Sequence, residues 1–239
     1  MEITHIPPLI LIILVILLVI LRYGFEKLVS RFFKLVSLKR TSPQIFVRAI
    51  ILILFNLLVL AVFGLLKPEI FSFSEPQTGL IILTVGLGIA VLVALLSLLA
   101  IKAGYGKGYE SLAAVSRLDK DFTLATFALL SGPSEDIFFI GFIQNSLIPS
   151  LGWVAIIIYL VLFIAYHYAN VLSGVETKQE FLGTLPVRLI VACLLGVSFY
   201  LTQTLVWGII VHNLVDTLSY LVLLGVNSKK PQIKLNDAI

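Results

Sequence analysis

Long apolar runs alternate with short polar stretches along the whole chain, and their length is that of a membrane crossing. About 20 apolar residues in helical conformation are needed to cross a hydrocarbon core of roughly 30 Å. Runs of this kind occupy about residues 6–23, 45–66, 79–101, 122–148, 152–172, 185–201 and 203–226. Barrel strands would be short and alternating, whereas these runs are continuous and rich in Leu, Ile and Val. A helix satisfies its own backbone groups in lipid, so the pattern predicts an all-α polytopic transmembrane bundle of about seven spans. Six or eight remain open, because the first run is short and the last two part only at a tight turn near Thr202. With no internal repeat and no long linker, residues 1–239 read as a single helical domain.

The polar stretches add detail. In GFEKLVSRFFKLVSLKR, residues 24–40, Leu28, Phe32, Leu35, Val36 and Leu38 cluster at helical spacing while Lys27, Arg31, Lys34 and Lys39 lie more toward the other side. This predicts an amphipathic helix on the inner membrane surface. GYGKGY, residues 104–109, does not fit a phosphate-loop spacing and reads as a flexible inner turn. His5, beside Pro7 and Pro8, reads as an exposed terminal residue. The first apolar run lacks a basic n-region and a small-residue cleavage site, so it reads as a span rather than a signal peptide.

Composition agrees. The chain is 59% hydrophobic and 13% charged, with a mean hydropathy of +1.09, which excludes a water-soluble globular domain. The net charge of +4 does not indicate nucleic acid, because the basic residues crowd the ends of apolar segments, where they set orientation. Arg22, Lys27, Arg31, Lys34, Lys39, Arg40 and Arg48 place the first connection inside. Alternation then puts 67–78 outside, 102–121 inside, the turn at Pro149 and Ser150 outside, 173–188 inside with Lys178 and Arg188, and the tail with Lys229, Lys230 and Lys234 inside. A multi-pass protein of the cell membrane follows, N-terminus outside and C-terminus cytoplasmic. Cys193 is the single cysteine and lies in an apolar run, so no disulfide framework exists.

Ionisable side chains deep in a bilayer cost several kcal/mol and mark functional sites. The predicted spans hold few: Glu135 and Asp136 in the fourth, His167 in the fifth, His212 and Asp216 in the seventh. His212 and Asp216 are four apart and share a helix face, as do Phe163 and His167. Gly132 and Pro133 precede the acidic pair and predict an interruption, with Ser131 or Ser134 capping a new helical start aimed at the carboxylates. A glutamate near a histidine can deprotonate water while other hydrogen-bonding groups steady an oxyanion, so peptide hydrolysis is feasible. The same Glu, two His and Asp also match the ligand set of a zinc or iron ion, and spacing alone does not separate the two.

In SEDIFFIGF, in Phe163 to His167 and in His212 to Asp216, the chain resembles the CAAX-protease and bacteriocin-processing family of intramembrane proteins, relatives of the Ras-converting CAAX prenyl endopeptidase. That family carries Glu-Glu-x-x-x-Arg, Phe-x-x-x-His and His-x-x-x-Asn or Asp in this order, and the resemblance covers roughly 122–226. It implies a glutamate endopeptidase, without required metal or cofactor, acting on a membrane-associated or lipidated peptide, with its site toward the cytoplasmic half of the bilayer. By that resemblance Glu135 is the general base, His167 holds the water, and His212 with Asp216 forms the oxyanion side, supported by Asp136 and Phe163. The motif arginine is replaced by Ile140 and the second glutamate by Asp136, so Asp136 must find a different donor or give up its charge. A non-catalytic scaffold, immunity or regulatory protein of the same fold and a proton-coupled transporter are the alternative readings. The oligomeric state is not encoded in any pattern of the chain, since lipid-facing and subunit-facing helix surfaces read alike.

Overall fold

The computed structural model describes residues 6–35, 42–102, 116–172 and 176–227. The expectations for His5, for 36–40, for the turn at 104–109 and for the lysine-bearing tail lie outside the described residues.

Among the described residues, seven helices are long and apolar enough to cross a membrane. They are α1 (Pro8–Leu35), α2 (Ser42–Val62), α3 (Pro76–Lys102), α4 (Arg117–Leu151), α5 (Val154–Leu172), α6 (Lys178–Thr202) and α7 (Val206–Asn227). The chain is a multi-pass, all-helical membrane protein. Branched aliphatic side chains such as Leu9, Ile13, Leu54, Leu80, Val161 and Ile190 stand exposed on its exterior, as a lipid-facing surface requires.

The sixth helix starts earlier than its apolar run, because Thr177 and Glu180 form a reciprocal capping box at its N-terminus. It ends at Thr202, where Gln203 takes a left-handed conformation, and α7 begins three residues on, so the last two runs are separate spans.

Three expectations need correction. Residues 24–35 are not a separate surface helix: they continue α1 without a break. Gly24 alone costs only about 1 kcal/mol in a helix interior, and Glu26 ties this turn to α2 through an ion pair with Arg48. Arg22 is not a loop charge but a fully buried side chain, 1% exposed, while Arg48 and Arg188 lie within α2 and α6. The interruption expected at Gly132 and Pro133 is absent. Helix α4 passes through them, and widened π-helical turns at Thr126–Leu130 and Phe139–Gln144 flank the segment instead. Ser131 N–H reaches back to Thr126 O and Asn145 N–H to Ile140 O, five residues back in each case, so the backbone stays hydrogen-bonded through both widened turns.

Helix α4 is the axis of the bundle. Of its membrane-crossing window 61% is buried, against 17–33% in the other six. Phe138, Phe139, Phe142, Ile143 and Leu147 form the centre of the core, against Leu11, Leu60, Tyr159, Leu195 and Val211 from five other helices. Helices α3 and α7 pack so closely that a Cβ on Gly79 would enter the Trp207 ring. The connection before α3 is strapped to the α6–α7 turn by Trp207 Nε1–H to Ser74 O at 2.8 Å and Leu205 N–H to Ile70 O at 2.8 Å.

Candidate active site

Glu135 and Asp136 sit between the two widened turns of α4, where successive side chains point about 100° apart. Asp136 faces the sealed interior and is 1% exposed; the Glu135 side chain is 25% exposed. The two acids therefore meet different partners.

Helix α5 brings His167 to Glu135, with Nε2 to Oε2 at 3.6 Å. The His167 Nδ1 lies 2.9 Å from the carbonyl of Phe163, one turn back. A carbonyl only accepts, so Nδ1 carries the proton and Nε2 is the nitrogen turned to Glu135. The Phe163 ring packs on the imidazole with centroids 4.3 Å apart, which fixes the ring plane. The spacing of Phe163 and His167 thus has a local cause: one residue supplies both the backbone acceptor and the wall for the other.

Helix α7 brings His212 to the other side. Its Nδ1 lies 3.0 Å from Asp136 Oδ1, an interhelical hydrogen bond that leaves Nε2 facing Glu135 Oε2 at 4.0 Å and Asp216 Oδ2 at 3.7 Å. Asp216 accepts a hydrogen bond from the Ser131 hydroxyl on α4. The five ionisable residues singled out in the sequence therefore gather at one place, with Glu135 Oε2 between two imidazole nitrogens from different helices. The separations of 3.6 and 4.0 Å are too long for direct hydrogen bonds and suit a water molecule that contacts both carboxylate and imidazole. Among the described residues, no three His, Cys, Asp or Glu side chains are arranged to ligate one metal ion.

Asp136, without a motif arginine at 140, has His212 as its donor. Ile140 is 1% exposed and belongs to the apolar core.

Four neighbours of the site lie outside the candidate set, Ser131 being expected only as a helix cap and Arg22 only as an orienting charge. Arg22 on α1 donates from Nη2 to the Ser134 carbonyl at 2.7 Å, and Asn56 on α2 donates to the same oxygen at 2.8 Å. Ser131 holds Asp216, and Asn213 Oδ1 accepts from the Gly132 N–H at 2.8 Å. Their signal was present: Asn56 and Asn213 are amides inside apolar runs, and Arg22 lies at the edge of one. Attention to ionisable groups alone passes over amides, and an arginine at the end of an apolar run looks the same whether it turns to water or inward.

Residues 120–218 match the family model described as type II CAAX prenyl endopeptidase, Rce1-like. The matched segment holds Glu135, Asp136, Phe163, His167, His212 and Asp216; Arg22 and Asn56 precede it. No curated protein and no solved structure matches the chain.

Proposed function

Since the chain belongs, through residues 120–218, to the CAAX-protease family of Rce1-like type II prenyl endopeptidases, we propose that it is an intramembrane endopeptidase in which a glutamate activates water against a membrane-associated or lipidated peptide. The observation that carries the reading is the position of Glu135 Oε2, 3.6 Å from His167 Nε2 and 4.0 Å from His212 Nε2, in the one acidic side chain of the α4 pair that is open rather than sealed.

In this mechanism a water molecule bridges Glu135 and His167. Glu135 takes its proton as the oxygen attacks the scissile carbonyl carbon, and the carbonyl π pair moves to the oxygen. With both ring protons in place, His212 donates Nδ1–H to Asp136 and Nε2–H to that oxyanion. Collapse of the tetrahedral intermediate breaks the C–N bond, and the proton on Glu135 passes to the leaving amine. Glu135 is thereby restored as a carboxylate, and no covalent acyl-enzyme forms. Asp136 acts through His212, fixing which nitrogen faces the substrate. Asp216, held by Ser131, borders the same nitrogen and limits its rotation.

The test is cleavage of a farnesylated peptide ending in a CAAX sequence by the full chain purified in detergent, followed by mass spectrometry of the released tripeptide. Glu135→Gln removes the base and His167→Ala removes the second contact to water, so each lowers kcat by a factor on the order of 10³ or more. Cleavage at the wild-type rate by both variants overturns the assignment of these residues. Absence of cleavage by the wild type on any prenylated or hydrophobic peptide, together with a cellular phenotype restored equally by Glu135→Gln, favours a non-catalytic role.

A further inference from the structure

Among the described residues Arg22 is the largest side chain that is fully buried, and a guanidinium in that position needs a reason. Its nearest carboxylate, Glu26, is 3.9 Å away, and Glu26 is itself paired with Arg48. Its hydrogen bonds are directed elsewhere, from Nε and Nη2, while Nη1 is buried without a hydrogen-bond partner. Nη2 donates to the Ser134 carbonyl at 2.7 Å, Nε lies 3.4 Å from Asn56 Oδ1, and Asn56 Nδ2 donates to the same Ser134 oxygen at 2.8 Å. That carbonyl belongs to the peptide bond that joins Ser134 to Glu135. The guanidinium carbon lies over three rings, those of Tyr166, Phe138 and Phe139, with centroids 4.7, 5.2 and 5.3 Å from Cζ. Tyr166 precedes His167 in the chain, and Phe138 and Phe139 follow Asp136 by two and three residues. The guanidinium also lies within electrostatic range of Glu135.

We propose that Arg22 supplies, from a helix outside the family-matched segment, the cation that the acidic motif lacks at Ile140, and that with Asn56 it is the positioning device for Glu135. The inference rests on the peptidase reading above for its catalytic consequence. Arginine suits the task where lysine would not, because one rigid fork serves a carbonyl and an amide while its charge lies over aromatic rings. The clamp joins α1 and α2 to the backbone of α4 one residue before the base, and its charge lies over the ring of Tyr166, the residue before His167. It therefore sets the relative position of the two side chains that hold the water. Misplacement of a reacting group by about 1 Å costs on the order of 10²-fold in rate.

Arg22→Met fills the same apolar enclosure and leaves Asn56 on the Ser134 carbonyl, so the fold survives. Arg22→Lys keeps the charge and loses the fork. In the full chain assayed on the farnesylated CAAX peptide, Arg22→Met is expected to lower kcat by about 10²-fold with KM within about twofold, and Arg22→Lys to recover part of that loss. Unchanged kcat in Arg22→Met, measured beside an inactive Glu135→Gln, overturns the positioning role and leaves the peptidase reading standing. A second readout does not depend on activity. With carbonyl-13C serine and 15N glutamate, only the Ser74–Glu75 and Ser134–Glu135 bonds give a correlation, and Ser74→Ala leaves the second alone. The Ser134 carbonyl resonance is expected to move in Arg22→Met; if it stays fixed, the clamp does not exist. A wild type that cleaves nothing while that resonance moves fails the peptidase reading and the catalytic consequence, with the clamp left as an interhelical contact.

Discussion

Glu135 and Asp136 are neighbours in sequence, yet the helix turns one toward an open space bordered by two imidazoles and the other into the sealed core against His212 Nδ1. A buried carboxylate with a histidine donor is an orienting group, and replacing its charge by an amide removes most of what holds the ring doubly protonated with Nε2–H turned to the substrate. Asp136→Asn is therefore expected to lower kcat on the order of 10³-fold, with the variant still folded. Asp216 has a lesser hold. Its hydrogen bond comes from the Ser131 hydroxyl, which the carbonyl of an asparagine also accepts, and its oxygen is 3.7 Å from His212 Nε2. Asp216→Asn should cost less than about tenfold, the size of one weakened hydrogen bond. Steady-state kinetics on the two variants check the order; a larger loss in Asp216→Asn would make Asp216 the orienting carboxylate instead.

At the level of elements, the site depends on how closely α4 meets α7. A Cβ on Gly132 would lie 3.0 Å from both Asn213 Oδ1 and Ile209 O, and the first of these atoms is the acceptor of the Gly132 N–H. Gly132→Ala must therefore push the helices apart or break that bond, and overpacking of this kind costs about 1–3 kcal/mol. Thermal unfolding in detergent should show a lowered midpoint together with reduced cleavage. Gly183→Ala in α6, where a Cβ meets nothing within 4 Å, should leave both unchanged or raise the midpoint slightly. Equal effects of the two would remove the close approach as the cause. The same glycine marks what was legible beforehand. Apolar run length is a property of each helix by itself, so the seven spans were readable, and so were the five ionisable residues that membrane cost singles out. The role of Gly132 was not, because a Gly-Pro pair signals an irregular helix without saying whether it breaks or widens. The choice falls to Asn213 and Ile209, which are distant in sequence. Arg22 escaped for the same reason: its partners lie on α2, α4 and α5, and no local pattern joins them.

Across the whole molecule, the histidines that meet at Glu135 sit at different heights on helices that the connectivity makes parallel. His167 lies five residues from the end of α5, whereas His212 lies six from the start of α7, so at about 1.5 Å per residue the two helices are offset by about 10 Å. The site is consequently near one end of α5 and near the opposite end of α7. Orientation rests on the loops. With Arg22, Arg48 and Arg188 drawn into helices, one contrast that remains is Lys67 with Glu69 and Glu75 between α2 and α3, against Lys102 as the last residue of α3, Lys107 after it, and Arg117 and Lys120 in the first turn of α4. Basic residues are retained on the cytoplasmic side. Glu69 is therefore expected outside and Arg117 inside, and both positions are exposed. In a Cys193→Ala background, a membrane-impermeant maleimide added to intact cells should label Glu69→Cys at once and Arg117→Cys only after permeabilisation. The reverse pattern inverts the protein and places the Leu172 end of α5, the end nearer His167, on the outer side.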